Sequence, residues 1–181
     1  MEKISRKIIL KTAQEIIIET KNSEVSLSQI ANGLGVTHAA IYKYFESKQV
    51  LWEEVSSAWF KEEIIDKIKF DNKTNSRVDT LHSWLYQFAN LKKNTYINDR
   101  TMFTLNTKYV DNHPKVLRKV LQPAYQEIDR IMDFNDPSLK RAEAILSAFA
   151  IFSLPTFKET WLDSDYQDRF DTLWNIIKSG L

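Results

Sequence analysis

Cysteine is absent from the 181-residue chain, which excludes a disulfide framework, a thiolate metal site and a cysteine nucleophile and makes the cytoplasm the natural compartment. Glycine and proline are scarce, at three and four. The punctuation that a sandwich or barrel of many short strands requires is therefore missing, which argues against an all-β fold. No apolar run approaches the roughly 18 residues of a membrane span. The opening Met1-Glu2-Lys3-Ile4-Ser5-Arg6-Lys7 also lacks the basic-then-apolar layout of a signal peptide. The expectation is a soluble cytoplasmic protein with no membrane partner. A large charge of one sign is lacking too: 25 basic against 24 acidic side chains give +1, far from the basic excess of many nucleic-acid binders. Residues 1–50 carry seven basic and five acidic groups, and residues 51–181 carry 18 and 19, a slight basic bias toward the amino terminus.

Recognisable catalytic and cofactor signals are missing as well. Gly33-Leu34-Gly35 is a fragment of a dinucleotide fingerprint, but no strand pattern precedes it and no third glycine follows at His38. His38, His82 and His113 show no metal-ligand spacing, and neither a nucleophile elbow nor a phosphate loop occurs. The chain reads as a non-enzyme with no cofactor and no metal.

What is present is helical periodicity almost from end to end, on a composition of 43% hydrophobic and 27% charged residues. Ile8, Ile9, Thr12, Ala13, Ile16 and Ile17 form one stripe, and the polar cluster Lys21-Asn22-Ser23 ends that helix. Ser26 with Gln29 is a capping-box signature for a second helix to about Leu34. Gly35 supplies the positive φ that ends it. Thr37 caps a short third helix carrying Ile41 and Phe45. Ser47 caps a long fourth helix predicted to reach nearly to Phe70, and the polar stretch Asp71–Ser76 reads as a loop. Beyond it the pattern predicts helices marked by Val78 to Phe88, by Met102 to Val110, from Pro114 to Phe134 with a bend at Pro123, from the cap Asp136 to Pro155, and from Asp165 to Ser179. The expected fold class is all-α.

Residues 26–46 carry the functional signal: two short helices, a small residue at Ala31, and Gly35 four positions later, the layout of a helix-turn-helix. From Ile8 to Val55 the chain resembles the amino-terminal domain of the TetR family of bacterial transcriptional regulators. The resemblance rests on Ser28-Gln29-Ile30-Ala31, Leu34-Gly35-Val36, Ile41-Tyr42-Lys43-Tyr44-Phe45 and Ser47-Lys48 before Leu51. It departs from the family pattern where Lys21-Asn22-Ser23 replaces a turn glycine, with asparagine able to adopt the left-handed geometry, and where Thr37 and Ala40 replace serine and glycine. The resemblance implies a head at residues 1–46 and a ligand-binding and dimerisation domain at 47–181, with 47–70 as the linking helix.

With Ile41 and Phe45 facing the head's core, Thr37, His38, Ala39, Tyr42, Lys43 and Tyr44 lie on or beside the outward face of the third helix. Early residues of that helix meet base edges: His38 can address purine N7 or O6, and the Ala39 methyl a thymine methyl. By analogy with the family, Tyr42 and Tyr44 are phosphate anchors. Lys48, in the first turn of the fourth helix, sits where backbone N–H groups also favour phosphate. Ser26 and Ser28 can add contacts. The alternatives are a helix cap for Ser26, a core filler for Tyr44 and a solvated side chain for Lys43.

The resemblance further implies a cavity for a small-molecule effector, and the absence of a dense charged cluster favours a neutral or weakly polar one over a polyanion. Trp84, Phe88, Phe103, Tyr109, Tyr125 and Phe149 are candidate walls, and Asn106 and His113 candidate polar groups. It implies a homodimer through the last two helices, with Ala142, Ile145, Leu146, Phe170, Leu173, Trp174 and Ile177 in the interface. The partner would be a double-stranded, pseudo-palindromic operator. The competing reading is a helical dimeric interaction protein whose head does not read DNA.

Overall fold

The computed structural model describes residues 4–69 and 76–181. The expected loop at 71–76 lies outside them except for Ser76, as does Phe70. Every regular element among the described residues is helical. Helix α1 (Arg6–Thr20) is capped by Ser5, whose hydroxyl accepts from Ile8 N, and buries Ile9, Ala13 and Ile17. It ends with a left-handed residue, as a turn glycine would, but that residue is Lys21 at φ 50°, not the asparagine beside it. Asn22 accepts from Glu24 N through Oδ1 at 2.8 Å instead. Helix α2 (Leu27–Gly33) carries the expected capping box, and α3 (His38–Tyr42) follows it.

Ser47 caps α4 (Lys48–Glu63) through Val50 N. The helix stops seven residues before Phe70, and a 3-10 turn, Ile65–Lys67, takes over. A stripe set by Leu51, Val55 and Trp59 drifts off the helical face there: Ile64, not Ile65, is fully buried. The body then comprises α5 (Arg77–Asn98), α6 (Arg100–Asn106) running into a π turn at Thr107–Asp111, α7 (Pro114–Val120) and α8 (Gln122–Met132).

The single bent helix expected over Pro114–Phe134 is two helices. Pro123 sits in the first turn of α8, where its missing N–H costs nothing, so the chain breaks at Leu121 rather than bending through it. Helix α9 (Lys140–Ala148) is shorter than expected at both ends. Asp136 accepts from Ser138 N at 2.9 Å and Ser138 Oγ at 2.6 Å, forming a local turn in place of a helix cap. After Phe149 the chain tightens into 3-10 turns at Ala150–Phe152 and Pro155–Leu162, and α10 (Tyr166–Ile177) closes the fold.

One apolar core runs from Ile9 through Trp52, Trp84 and Phe149 to Trp174 without a gap. Head and body are packed on each other through α4. Trp52 meets Tyr109 of the π turn at 6.3 Å between ring centroids. Lys108 of the same turn is ion-paired with Glu24 in the α1–α2 loop. No helix of the described residues is long and apolar enough to cross a membrane.

Candidate nucleic-acid interface

The turn between α2 and α3 is held by backbone chemistry. Val36 N donates to Ala31 O at 2.9 Å and Gly35 N to Asn32 O at 3.1 Å, the paired bonds of a Schellman motif with Gly35 in its left-handed position at φ 63°. Gly33 has a different reason to be small: a Cβ there would stand 3.2 Å from Ile16 Cδ1 of α1. These two glycines let α3 leave α2 sharply while α2 lies close on α1.

Helix α3 buries Ile41, and Phe45 follows it into the core. Thr37, His38, Ala39, Tyr42 and Lys43 are exposed on the other side, as are Ser28 on α2 and Lys48 at the start of α4. His38 and Tyr42, one turn apart, meet edge to face with centroids 5.2 Å apart. Thr37 occupies the N-cap position with no side-chain bond to the helix, so its hydroxyl is unused by the fold. Ser26 is the capping residue: its Oγ accepts from Gln29 N at 3.2 Å and donates to Gln29 Oε1 at 2.9 Å. Tyr44 is half-buried and its hydroxyl donates to Ile4 O at 2.9 Å, so the proton a phosphate would receive is already given to the backbone.

Sequence reasoning missed what fixes α3 in place. Arg6 Nη1 donates to Tyr44 O at 2.6 Å, Nε donates to Glu54 Oε2 at 2.7 Å, and the guanidinium lies 4.5 Å over the Phe45 ring. One side chain thus satisfies a carbonyl just past α3, braces it against α4 and stacks on the core. The Glu54 hydrogen bond holds the Arg6 guanidinium above its ordinary value. No local spacing could reveal this, because the partners lie 38 and 48 residues away.

The body places the other expected residues differently from an open pocket. Trp84, Phe88, Phe103, Asn106, Tyr109, Tyr125 and Phe149 are buried in the core, with Trp84 stacked on Phe88 at 5.4 Å and Phe149 against Phe170 at 4.9 Å, while His113 is exposed. Phe88 and Tyr125 border a groove of about 320 Å³ between α7, α8 and α9, and Phe103 borders another of about 380 Å³ beside Tyr96 and Thr107. Of the expected interface residues, Ala142, Ile145, Leu146, Phe170 and Trp174 are buried within the chain's own core, and Leu173 and Ile177 are half-buried. The apolar side chain that α10 leaves in water is Ile176, 70% exposed, which the sequence reading did not single out.

A buried polar cluster was also not anticipated. Lys92 and Asp111, with side chains 2% and 3% exposed, pair at 3.3 Å, and Asn106 Nδ2 donates to Asp111 Oδ2 at 2.9 Å. The Lys92 ammonium lies over Phe60 and Phe103 at 5.3 and 5.8 Å. Ser56 Oγ on α4 and Asn106 Oδ1 on α6 are both buried without a partner.

Residues 9–55 match the family model of the bacterial regulatory proteins, tetR family, a span that holds α1 from its fourth residue onward, α2, α3 and the first half of α4. No curated protein matches the chain.

Proposed function

We propose, from the premise that the head is that of a TetR-family DNA-binding transcriptional regulator, that this chain is a ligand-responsive repressor. It binds a pseudo-palindromic operator as a homodimer and leaves it when a small neutral or weakly polar molecule binds. The observation that carries the reading is the exposed face of α3. Thr37, His38, Ala39, Tyr42 and Lys43 stand free of the core, on a helix braced by Arg6. His38 and Ala39, in its first turn, are the base readers; Tyr42, Lys43, Ser28 and Lys48 are the phosphate contacts that set register. Ser26 serves α2 as its cap, and Tyr44 serves as a tether for the segment at Ile4.

Two copies are needed because the head carries only a slight basic excess, and two modest heads on one duplex sum their contacts. The pairing surface is the outer side of α10, where Ile176 is exposed beside the half-buried Leu173 and Ile177. The two α3 helices must then stand about 34–36 Å apart to enter successive major grooves. Helix α4 starts beside the DNA at Lys48 and ends in the body, so a ligand that favours one position of α4 changes that spacing.

A mobility shift with promoter fragments flanking the chain's own gene tests the reading. Retarded bands that persist against excess scrambled duplex are expected. Retardation erased equally by scrambled duplex would favour the competing reading of a helical interaction protein.

A further inference from the structure

A cavity of about 580 Å³ opens at the seam where α1 of the head meets α4 and the junction of α5 with α6, within the size range of small-molecule sites. Buried Ile17, Trp59 and Met102 contribute to its lining. Ile18 from the head and Ile97 from the body also line it, 63% and 44% exposed. Two large apolar side chains left in water at one opening form a surface that an apolar body would cover.

The cavity also offers a specific polar feature. Gln14 lines it, and its Nε2 is buried with no acceptor. A buried donor without a partner is unfavourable, so a turn of the Gln14 amide toward the opening, where an oxygen on an occupant accepts from Nε2, is favoured. Charge favours a neutral occupant: Glu63 is already ion-paired with Lys67, and Glu62 and Asp99 are balanced by Lys21 and Arg100 around the lining.

We propose that this seam, rather than the groove between α7, α8 and α9, is the effector site. It takes a neutral small molecule with an apolar body and one carbonyl-type acceptor for Gln14. The regulatory consequence rests on the repressor reading above; the site itself does not. Gln14, Ile17 and Ile18 share one face of α1, and the facing wall, 97–102, belongs to the body. An occupant touching both favours one angle of head against body, and α3 follows α1 because Arg6 of α1 holds Tyr44 O and Ile4 O holds the Tyr44 hydroxyl. Linkage then requires DNA and occupant to weaken each other's binding by the same factor.

The test uses the full chain and the neutral naphthalene ketone 6-propionyl-2-dimethylaminonaphthalene, titrated while tryptophan is excited and the dye's emission is read. Saturable energy transfer is expected. Gln14→Leu should weaken binding about fivefold, the worth of one neutral hydrogen bond, and move the bound dye's emission to shorter wavelength as its carbonyl loses a donor. Ile97→Asp, at an exposed position, should abolish binding with the circular dichroism spectrum unchanged. Ser147→Trp, which plugs the groove between α7 and α9, should leave binding as it was. Absence of saturable binding, indifference to Gln14→Leu and Ile97→Asp, or loss on Ser147→Trp overturns the seam assignment and leaves the repressor reading standing. Binding that depends on Gln14 and Ile97 establishes the site; if promoter affinity is then the same with and without dye, it is the ligand-response reading that fails.

Discussion

Replacing Asp111 by asparagine probes the least expected feature of the body with almost no change of shape. The substitution keeps an acceptor for Asn106 Nδ2 but leaves the Lys92 ammonium, 2% exposed, without a counter-charge. Phe60 and Phe103 offer their ring faces, worth about 1–2 kcal/mol for a desolvated cation, which does not replace a carboxylate. Breaking a buried pair from one side costs about 3–5 kcal/mol. For a chain of this length each kcal/mol moves the melting temperature by roughly 2–4 °C, so Asp111→Asn should lower it by about 6–20 °C. Lys92→Met/Asp111→Asn removes both charges, fills the site with a side chain of similar length and should recover most of the loss, since apolar replacements of buried pairs are often neutral. Thermal denaturation followed by circular dichroism reads all four members of the cycle. A single Asp111→Asn variant melting within 2 °C of the parent, or a double variant as unstable as the sum of the singles, would refute the argument that the pair is a mutually dependent unit.

Other outcomes follow from the same contacts. Arg6→Ala should weaken promoter binding in anisotropy titrations more than Lys7→Ala does, although neither needs to touch DNA, because only Arg6 braces the end of α3 through Tyr44 O and Glu54; equal effects would remove the brace from the account. Trp174→Glu should unfold the chain, not merely separate a dimer, since Trp174 is buried against His82 with ring centroids 4.9 Å apart. Ile176→Glu should give folded monomers by sedimentation, and a dimer surviving that change would move the interface off α10. The Glu24 carboxylate lies below its ordinary value because Lys108 donates a hydrogen bond to it, and Lys108 is raised by the same bond. The contribution of Glu24 is therefore present above its ordinary value of 4.5 and lost as pH falls, while that of Lys108 is present below 10.5 and lost as pH rises. Glu24→Gln should accordingly lower the melting temperature slightly at pH 7, by a deficit that shrinks as pH falls below 4.5; a deficit that stays constant on acidification would deny the pair any role.

The head was legible in the sequence because its signals are local. The Ser26–Gln29 box, the Gly35 reversal and the Ile41–Phe45 spacing each lie within a few residues, and the structure places all three as read. The left-handed residue after α1 was read one position late, because backbone geometry chose Lys21 while the asparagine side chain found its own bond to Glu24 N. In the body, periodicity gave the helices but not their ends: Pro123 starts α8 instead of bending a longer helix, and α9 is trimmed on one side by the Asp136–Ser138 turn. Pocket and interface were harder still. An aromatic on an apolar stripe reads the same in sequence whether it lines a cavity or fills a core, and Trp84, Phe149, Phe170 and Trp174 fill the core. The Arg6 brace and the Lys92–Asp111 pair join residues 19 to 48 positions apart, and nothing in a single sequence marks such partners.

The most direct test of the account is the ratio of affinities for two labelled duplexes of equal length, the chain's own promoter segment and a scrambled version of it, measured by fluorescence anisotropy at one moderate salt concentration. A promoter preference of at least about 10³-fold is expected. His38→Ala should narrow that ratio by roughly tenfold per half-site, while Lys48→Ala weakens both duplexes alike. Equal affinity of the unaltered chain for the two duplexes would contradict the claim that the exposed face of α3 reads DNA sequence.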